Sequence, residues 1–509
     1  MTGNAANWFV ERHLGEGRGD KIAFREAWSS GRELSYGALA KQSGEVAGAL
    51  VNTGIRREER AAMFVLDQVE FPCIFWGLIK TGVQPVPINT LLSTDVYRAI
   101  LEDSRASIAF VSAELLDVVL PAVKDSSHLR QIVVIGGEAP AGTIDWPSFI
   151  KGASPLSAIN CAGDEIAFWL YSSGSTGNPK GVRHVHDALR VTCDTYGKQV
   201  LEIREDDTIY SAAKLFFAYG LGNGMSFPLS VGATALLYNA RPTPESVSNI
   251  LEEFKPTIFC GVPTLYAALV HRWEEAGRVP DAPLRTCISA GEALPAEIGR
   301  KWHAIQGTDI MDGVGSTEML HIFLSNSPGD IEYGTSGVAV PGYEVRLVDD
   351  AGSDVEAGAI GELLVRGESA AADYWNQRSK SRATFEGEWT RTGDKYEKSK
   401  SGRMIYCGRT DDMFKVSGIW VSPFEVEQAL IAHPDVLEAA VVARRDEDDL
   451  EKPQAYVVLK DGRDAEALVE LKEFVKERIG KWKYPRWVDV LDELPKTATG
   501  KIQRFKLRE

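Results

Sequence analysis

The sequence predicts a multidomain α/β and α+β protein. A large N-terminal domain of two stacked α/β subdomains plus a small β-barrel-like subdomain precedes a small α+β C-terminal domain. Three observations predict it. Short apolar runs alternate with amphipathic stretches over residues 1–320; turn-broken strands follow from about 330 to 407; the remainder mixes strands with two helical stretches. A length of 509 residues fits this division, since one core rarely serves so long a chain.

Taken in order, residues 61–65, 83–87, 108–111 and 131–135 are short apolar runs, reading as strands of a helix-covered parallel sheet. The pattern resumes after residue 165, with strands expected at 166–171, 208–212, 234–237, 257–260 and 286–289. Strands at 344–348 and 361–365, set between Gly, Asp and Glu turns, mark the β-rich unit. Next come a helix at 423–433, strands at 436–443 and 454–459, a helix at 465–479 and a strand near 487–491. The polar segment 408–412 is the natural boundary, dividing the chain into residues 1–410 and 411–509. There are no internal repeats.

Composition excludes several classes of function. The net charge is −16 and basic residues form no block, which argues against a nucleic-acid partner. Anionic substrates would need cations gathered locally against that field. Six scattered cysteines without a CxxC pair read as free thiols in a reducing compartment. The N-terminus lacks the layout of a signal peptide and no apolar run reaches membrane-spanning length. A cytoplasmic protein with no membrane partner is expected, as a monomer or homodimer.

The strongest local signal is Tyr171-Ser-Ser-Gly-Ser-Thr-Gly-Asn-Pro-Lys-Gly181, directly after an apolar strand. Gly174, Gly177 and Gly181 let the backbone approach a ligand. The hydroxyls of Ser172, Ser173, Ser175 and Thr176 can donate to phosphate oxygens, and Lys180 adds a point charge. A GxxxxGK[ST] P-loop fits nowhere, because Pro179 stands where a helix-opening glycine would be needed. A Ser/Gly-rich surface loop is the plain alternative, but a Lys-Gly end beside a buried strand disfavours it.

Five further stretches follow. They are Ser289-Ala-Gly-Glu-Ala-Leu-Pro295, Gly315-Ser-Thr-Glu318, Trp389-Thr-Arg-Thr-Gly-Asp394, Gly408-Arg-Thr-Asp-Asp-Met-Phe-Lys-Val-Ser-Gly418 and Pro495-Lys-Thr-Ala-Thr-Gly-Lys501. Singly, each could be a strand-end turn, a capping aspartate, a charged linker or a solvated lysine. In this order they resemble the adenylate-forming superfamily of acyl- and aryl-CoA ligases, luciferases and peptide-synthetase adenylation domains, and the resemblance covers nearly the whole chain.

That resemblance implies an ATP-dependent acid–thiol ligase, which makes an acyl-adenylate and passes the acyl group to coenzyme A, releasing AMP and pyrophosphate. It implies that Thr317 touches phosphate and Glu318 helps hold Mg2+, a hard cation needing oxygen ligands. Gly291, Glu292, Ala293 and Asp312 would line the adenine, while Asp394 and Arg409 would meet ribose and phosphate. Lys501 would be the catalytic lysine and Asp411 the hinge of a mobile C-terminal domain. Lys415, Ser417, Gly418 and Trp420 would serve the thioester step. His184 and His186 suggest a metal by spacing, but no third ligand follows.

The acid is narrowed by residues 210–239, which contain no Asp or Glu to hold an amino-acid ammonium. Lys214-Leu-Phe-Phe-Ala-Tyr-Gly-Leu-Gly222 resembles the corresponding stretch of benzoate- and hydroxybenzoate-CoA ligases. Aromatic residues interleaved with glycine suit a flat slot for a ring. Phe216, Ala218, Tyr219, Gly220, His321 and Ile322 are the expected pocket. The alternatives are a medium-chain acyl-CoA ligase, an aryl-acid–carrier-protein ligase, or a nucleotide-binding regulator without catalysis.

Overall fold

The computed structural model describes residues 3–124, 126–173, 179–410, 412–416, 419–447, 450–460, 467–480, 483–496 and 502–508; for 173, 415, 419, 420 and 467–469 it describes the backbone only. Two sheets form the body. In the nine-stranded sheet, Ile310–Gly315, Thr286–Ser289, Ile258–Gly261, Thr208–Ser211, Thr234–Leu237 and Ile22–Glu26 run parallel in that order. Antiparallel strands Ile322–Ser325, Val338–Ala339 and Glu33–Ser35 finish its edges. The second sheet has five parallel strands, with Arg60–Phe64 between Gln84–Pro87 and Ile108–Ser112.

Helices Tyr36–Asn52 and Glu70–Thr81 belong to the main core, which joins both sheets. Ser35 caps the first by accepting from Ala38 N–H, satisfying an otherwise orphaned donor. The second is mostly apolar and buried along nearly its whole length, with its Glu70 and Lys80 paired to Arg32 and Glu11.

The two α/β units are interleaved along the chain, because Ile22–Glu26 leaves the N-terminus to pair with Thr234–Leu237, Phe24 opposite Ala235. A run so far from its partner carries no local sign of its sheet. The strand Ile166–Ser173, expected from its apolar run, stands outside both large sheets. It turns through the glycine-rich stretch into Pro179–Val185, forming an antiparallel hairpin with Asp373–Tyr374 as a third strand. Ser173 pairs with Pro179, so the glycine-rich stretch links two strands, where a P-loop would open a helix.

The β-rich unit is an antiparallel sheet built on Glu344–Val348, Ile360–Arg366 and Trp389–Lys398, with Met404–Arg409 on the last of these. The C-terminal module has its own core. Pro423–Ile431 and Ala467–Ile479 pack on Val436–Arg445 and Glu451–Leu459, with Val426, Val441, Val457 and Leu471 at its centre. No helix among the described residues is long and apolar enough to cross a membrane.

Candidate functional site

The carboxyl ends of the parallel strands converge on one cleft, where ligands of open α/β sheets bind. Ser289 ends one strand and leads to Gly291, Glu292 and Ala293; Ile310–Gly315 carries Asp312 and leads to Thr317 and Glu318. The charged residues of the cleft, most of them largely shielded from solvent, are held by one another. Lys180 Nζ lies 3.8 Å from Glu318 Oε1, and the Tyr374 hydroxyl donates to that same oxygen at 2.7 Å. Lys180 also sits 4.5 Å from the Tyr374 ring centre. Burial lowers the Lys180 pKa; the Glu318 carboxylate opposes that, while Lys380 and Arg409 add to it.

A second pair stands beside the first. Asp394 and Arg409 are register partners on neighbouring strands, and Arg409 Nη1 donates to Asp394 Oδ1 at 3.0 Å and to Thr392 O at 2.9 Å. Arg409 is near enough for its field to act on Lys180 and Glu318, so the two pairs share one cleft. Asp312 is buried, and its Oδ1 has no partner among the described residues. Burial pushes that carboxyl well above its usual range. An acceptor so placed suits an amino group supplied from outside the chain. Ser172 Oγ is likewise buried and without a partner among the described residues.

The donor set fits magnesium in one respect. Glu318 Oε2 accepts no hydrogen bond from a described residue, Lys180 and Tyr374 both lying on Oε1, so one carboxylate oxygen is left over for a hard cation. No cluster of three or more ligating side chains exists among the described residues, so such an ion would draw most of its ligands from phosphate and water.

The expected aryl wall is assembled around His321, which is 3% exposed. Its ring lies 4.5 Å from Phe227, 5.2 Å from Tyr196 and 5.7 Å from Tyr219 between centres. Burial pushes its pKa down to about 3, so it is a neutral ring at physiological pH. Tyr219 donates its hydroxyl to Gly261 O and Ile288 O, both at 3.2 Å, tying this wall to the ends of two sheet strands. Phe216 is buried against Phe217, Ala218 opens a short helix, and Ile322 is buried on its strand.

At Gly220 a Cβ would meet Lys214 O at 2.0 Å, so only glycine permits the close packing of this loop. Composition alone does not point to Gly222, Tyr196 or Phe227. A Cβ on Gly222 would stand 2.4 Å from His321 Cδ2, so Gly222 makes the space His321 fills. Lys214 is also more than motif: half-buried, it donates to Tyr238 O and faces Asp67 at 3.9 Å, while Asp67 Oδ1 accepts Leu215 N–H at 3.2 Å.

The C-terminal module reaches this cleft. Ile502 N–H donates to Glu292 Oε1 at 3.0 Å, and Gln503 N–H to Pro495 O at 2.7 Å. The residues flanking 497–501 therefore stand against the Gly291–Ala293 stretch, giving Glu292 a docking contact the sequence did not reveal. Lys501 itself, Gly174, Ser175, Thr176, Gly177, Asp411, Ser417 and Gly418 lie outside the described residues, as do the side chains of Ser173, Lys415 and Trp420.

The model of the AMP-binding enzymes matches residues 10–375, and that of their C-terminal domain matches residues 425–501. The chain is 53% identical to a 4-hydroxybenzoate–CoA/benzoate–CoA ligase of Rhodopseudomonas palustris, over 99% of this chain and 94% of that protein. It is 51% identical to a benzoate–CoA ligase of Thauera aromatica, over 99% and 95%. Among solved structures, it superposes on a benzoate CoA ligase from Burkholderia xenovorans LB400 with a TM-score of 0.92, 47% identity and full coverage of both chains. The anthranilate CoA ligase AuaEII, in complex with anthranoyl-AMP, gives 0.95 at 42% identity, over 99% and 96%.

Proposed function

From the chain's membership of the AMP-binding enzyme family, we propose that it is an AMP-forming ligase that activates benzoate, or a benzoate carrying a small polar substituent, and delivers the aroyl group to coenzyme A. Its substrates are ATP, an aryl acid and CoA; the reaction passes through an acyl-adenylate. One observation carries the aryl reading. A neutral, buried His321 is boxed by Tyr196, Tyr219 and Phe227, with Gly222 making room for it. Such a wall matches a flat ring and holds no carboxylate for an ammonium. The ring nitrogens of His321 and the hydroxyl of Tyr196 are buried and only weakly engaged, by the Tyr219 backbone and by Ser325, which supports accepting a ring hydroxyl.

In the first half-reaction a carboxylate oxygen attacks the α-phosphate and pyrophosphate departs. An anion meets an anion, so charge neutralisation and in-line placement do most of the work. Lys180 and the hydroxyls of residues 172–176 hold the departing pyrophosphate, with Thr317 at the phosphate. Asp312 accepts from the adenine amino group, and Asp394 from the ribose hydroxyls beside Arg409. Glu318 would hold magnesium, which when bound would supply positive charge at the phosphates. Lys501 neutralises the attacking and α-phosphate oxygens.

In the second half-reaction the thiolate sulfur of CoA attacks the acyl carbon and AMP leaves with the bonding pair. The module 411–509 turns about Asp411, withdraws Lys501 and brings Lys415, Ser417, Gly418 and Trp420 to the thiol. The contact of Ile502 with Glu292 supports the adenylating arrangement as the one seen. The enzyme works in the cytoplasm, as a monomer or homodimer. Lys501→Ala is expected to abolish benzoate-dependent ATP–pyrophosphate exchange while sparing thioester formation from supplied benzoyl-adenylate. Equal loss of both half-reactions would refute this division of labour.

A further inference from the structure

Residues 369–376 form a strap with one end on Glu318 and the other on the strand that follows the glycine-rich stretch. At the first end, Ala371 N–H donates to Glu318 O at 2.7 Å. The fully buried Ser369 hydroxyl donates to Met319 O at 2.8 Å and meets the Tyr343 hydroxyl at 2.7 Å. At the second end, Ala372 N–H donates to Arg183 O at 2.9 Å and Trp375 N–H to Gly181 O at 2.8 Å. Asp373 holds Arg183 through two bonds of 2.7 Å, and Trp375 Nε1 donates to Asp103 O at 2.9 Å. Lys180 belongs to the strand so gripped. The strap thus sets the register between the carboxylate and the lysine of the cleft.

At its centre Tyr374, 4% exposed and packed on Phe385, spends its hydroxyl on Glu318 Oε1. We propose that Tyr374 is a positioning residue for Glu318, fixing one carboxylate oxygen so that the other stays free for the magnesium that accompanies ATP. The proposal rests on the reading that Glu318 holds this ion. Its physical basis is competition: Lys180 Nζ stands 3.8 Å from the same oxygen. The phenol orients the carboxylate without neutralising its charge. A phenol carries its proton at physiological pH, and the 2.7 Å contact points that proton at Glu318 Oε1. A tyrosine that merely filled the space beside Phe385 would need its ring and not its hydroxyl.

Tyr374→Phe keeps the ring and removes the donor, which separates these two roles. Mn2+ is the probe, with α,β-methylene-ATP present to complete the site, and free Mn2+ is followed by electron paramagnetic resonance. The variant is expected to bind Mn2+ about 10-fold more weakly, the scale typical when a hydrogen-bond partner of a metal ligand is removed. Binding of AMP without metal and the melting temperature should stay near wild type. Ser369→Ala, which loosens the other support of the 318–319 turn, should weaken Mn2+ in the same direction and serves alone if Tyr374→Phe does not fold. Wild-type Mn2+ affinity in whichever of these variants folds, with weakened affinity in Glu318→Gln, would overturn the role of the strap and leave the Glu318 reading standing. Wild-type affinity in Glu318→Gln as well would remove the Glu318 reading itself. A matching loss of metal-free AMP binding in Tyr374→Phe would mark the tyrosine as generally structural and also overturn the proposal.

Discussion

The acid wall and the nucleotide cleft lie at the same strand ends but solve opposite problems. Around His321 the side chains are buried, neutral and ring-packed, and the shape is complete before any ligand arrives. Around Glu318 they are charged, less fully buried and paired with one another: Lys180 and Tyr374 on Glu318, Arg409 on Asp394. The difference teaches how each recognises its ligand. Under the proposed function the wall would discriminate by volume, where an extra methylene is felt because packed interiors yield little. The cleft would discriminate by exchange, its ion pairs holding the charges until phosphate, ribose and cation replace them.

If the comparison is right, the largest effect falls in the cleft. Glu318→Gln should lower benzoate-dependent ATP–pyrophosphate exchange by on the order of 10²-fold, the scale of losing one preorganised electrostatic contact, while leaving discrimination between acids as in wild type. A change in acid ranking would break the separation of the two regions.

Next comes Gly222→Ala. Its methyl would meet His321 2.4 Å away, so the ring must shift. Displacement of a wall by about 1 Å can cost roughly 10²-fold; a smaller loss, about 10- to 50-fold in kcat/KM for benzoate, is expected if His321 can partly yield. The KM for ATP should stay put. Phe216→Ala should cost about 3 kcal/mol of stability as a buried large-to-small change, and it should narrow the gap between benzoate and bulkier acids in initial rates.

The last prediction concerns stability against pH. Burial pushes His321 and His184 down to about 3, and His13 and His186 down to about 4. In the unfolded chain these rings take up protons near pH 6.5, so between about 4 and 6.5 the unfolded state binds more protons. Their contribution is therefore fully present above 6.5 and lost as pH falls, by up to about 1.4 kcal/mol per pH unit for each ring. The urea midpoint should drop from pH 7.5 to 5.5. His184→Phe, beside the stacked Phe168, should make that drop shallower.

Much of the cleft was legible in the sequence because it is written in contiguous stretches. Lys180, Glu318, Asp394 and Arg409 each stand in a short motif whose residue types suit phosphate, cation or ribose, and the fold brings these four together. The expected pocket was half legible: Phe216, Tyr219 and His321 could be named from their stretches. Gly222 and Tyr196 matter only through what packs on His321, which no local pattern encodes. Tyr374 was invisible for the same reason, its strand being two residues long and its partner Glu318 fifty-six positions earlier. The pairing of Ile22–Glu26 with Thr234–Leu237 was beyond reach too, since parallel partners share no turn chemistry.

The most direct test is CoA-dependent AMP release across a panel of acids at equal concentration: benzoate, 4-hydroxybenzoate, 2-aminobenzoate, hexanoate and palmitate. The account predicts rates highest with benzoate or a small polar derivative, hexanoate slower by tenfold or more, and palmitate at background. Comparable rates on palmitate and benzoate would contradict it.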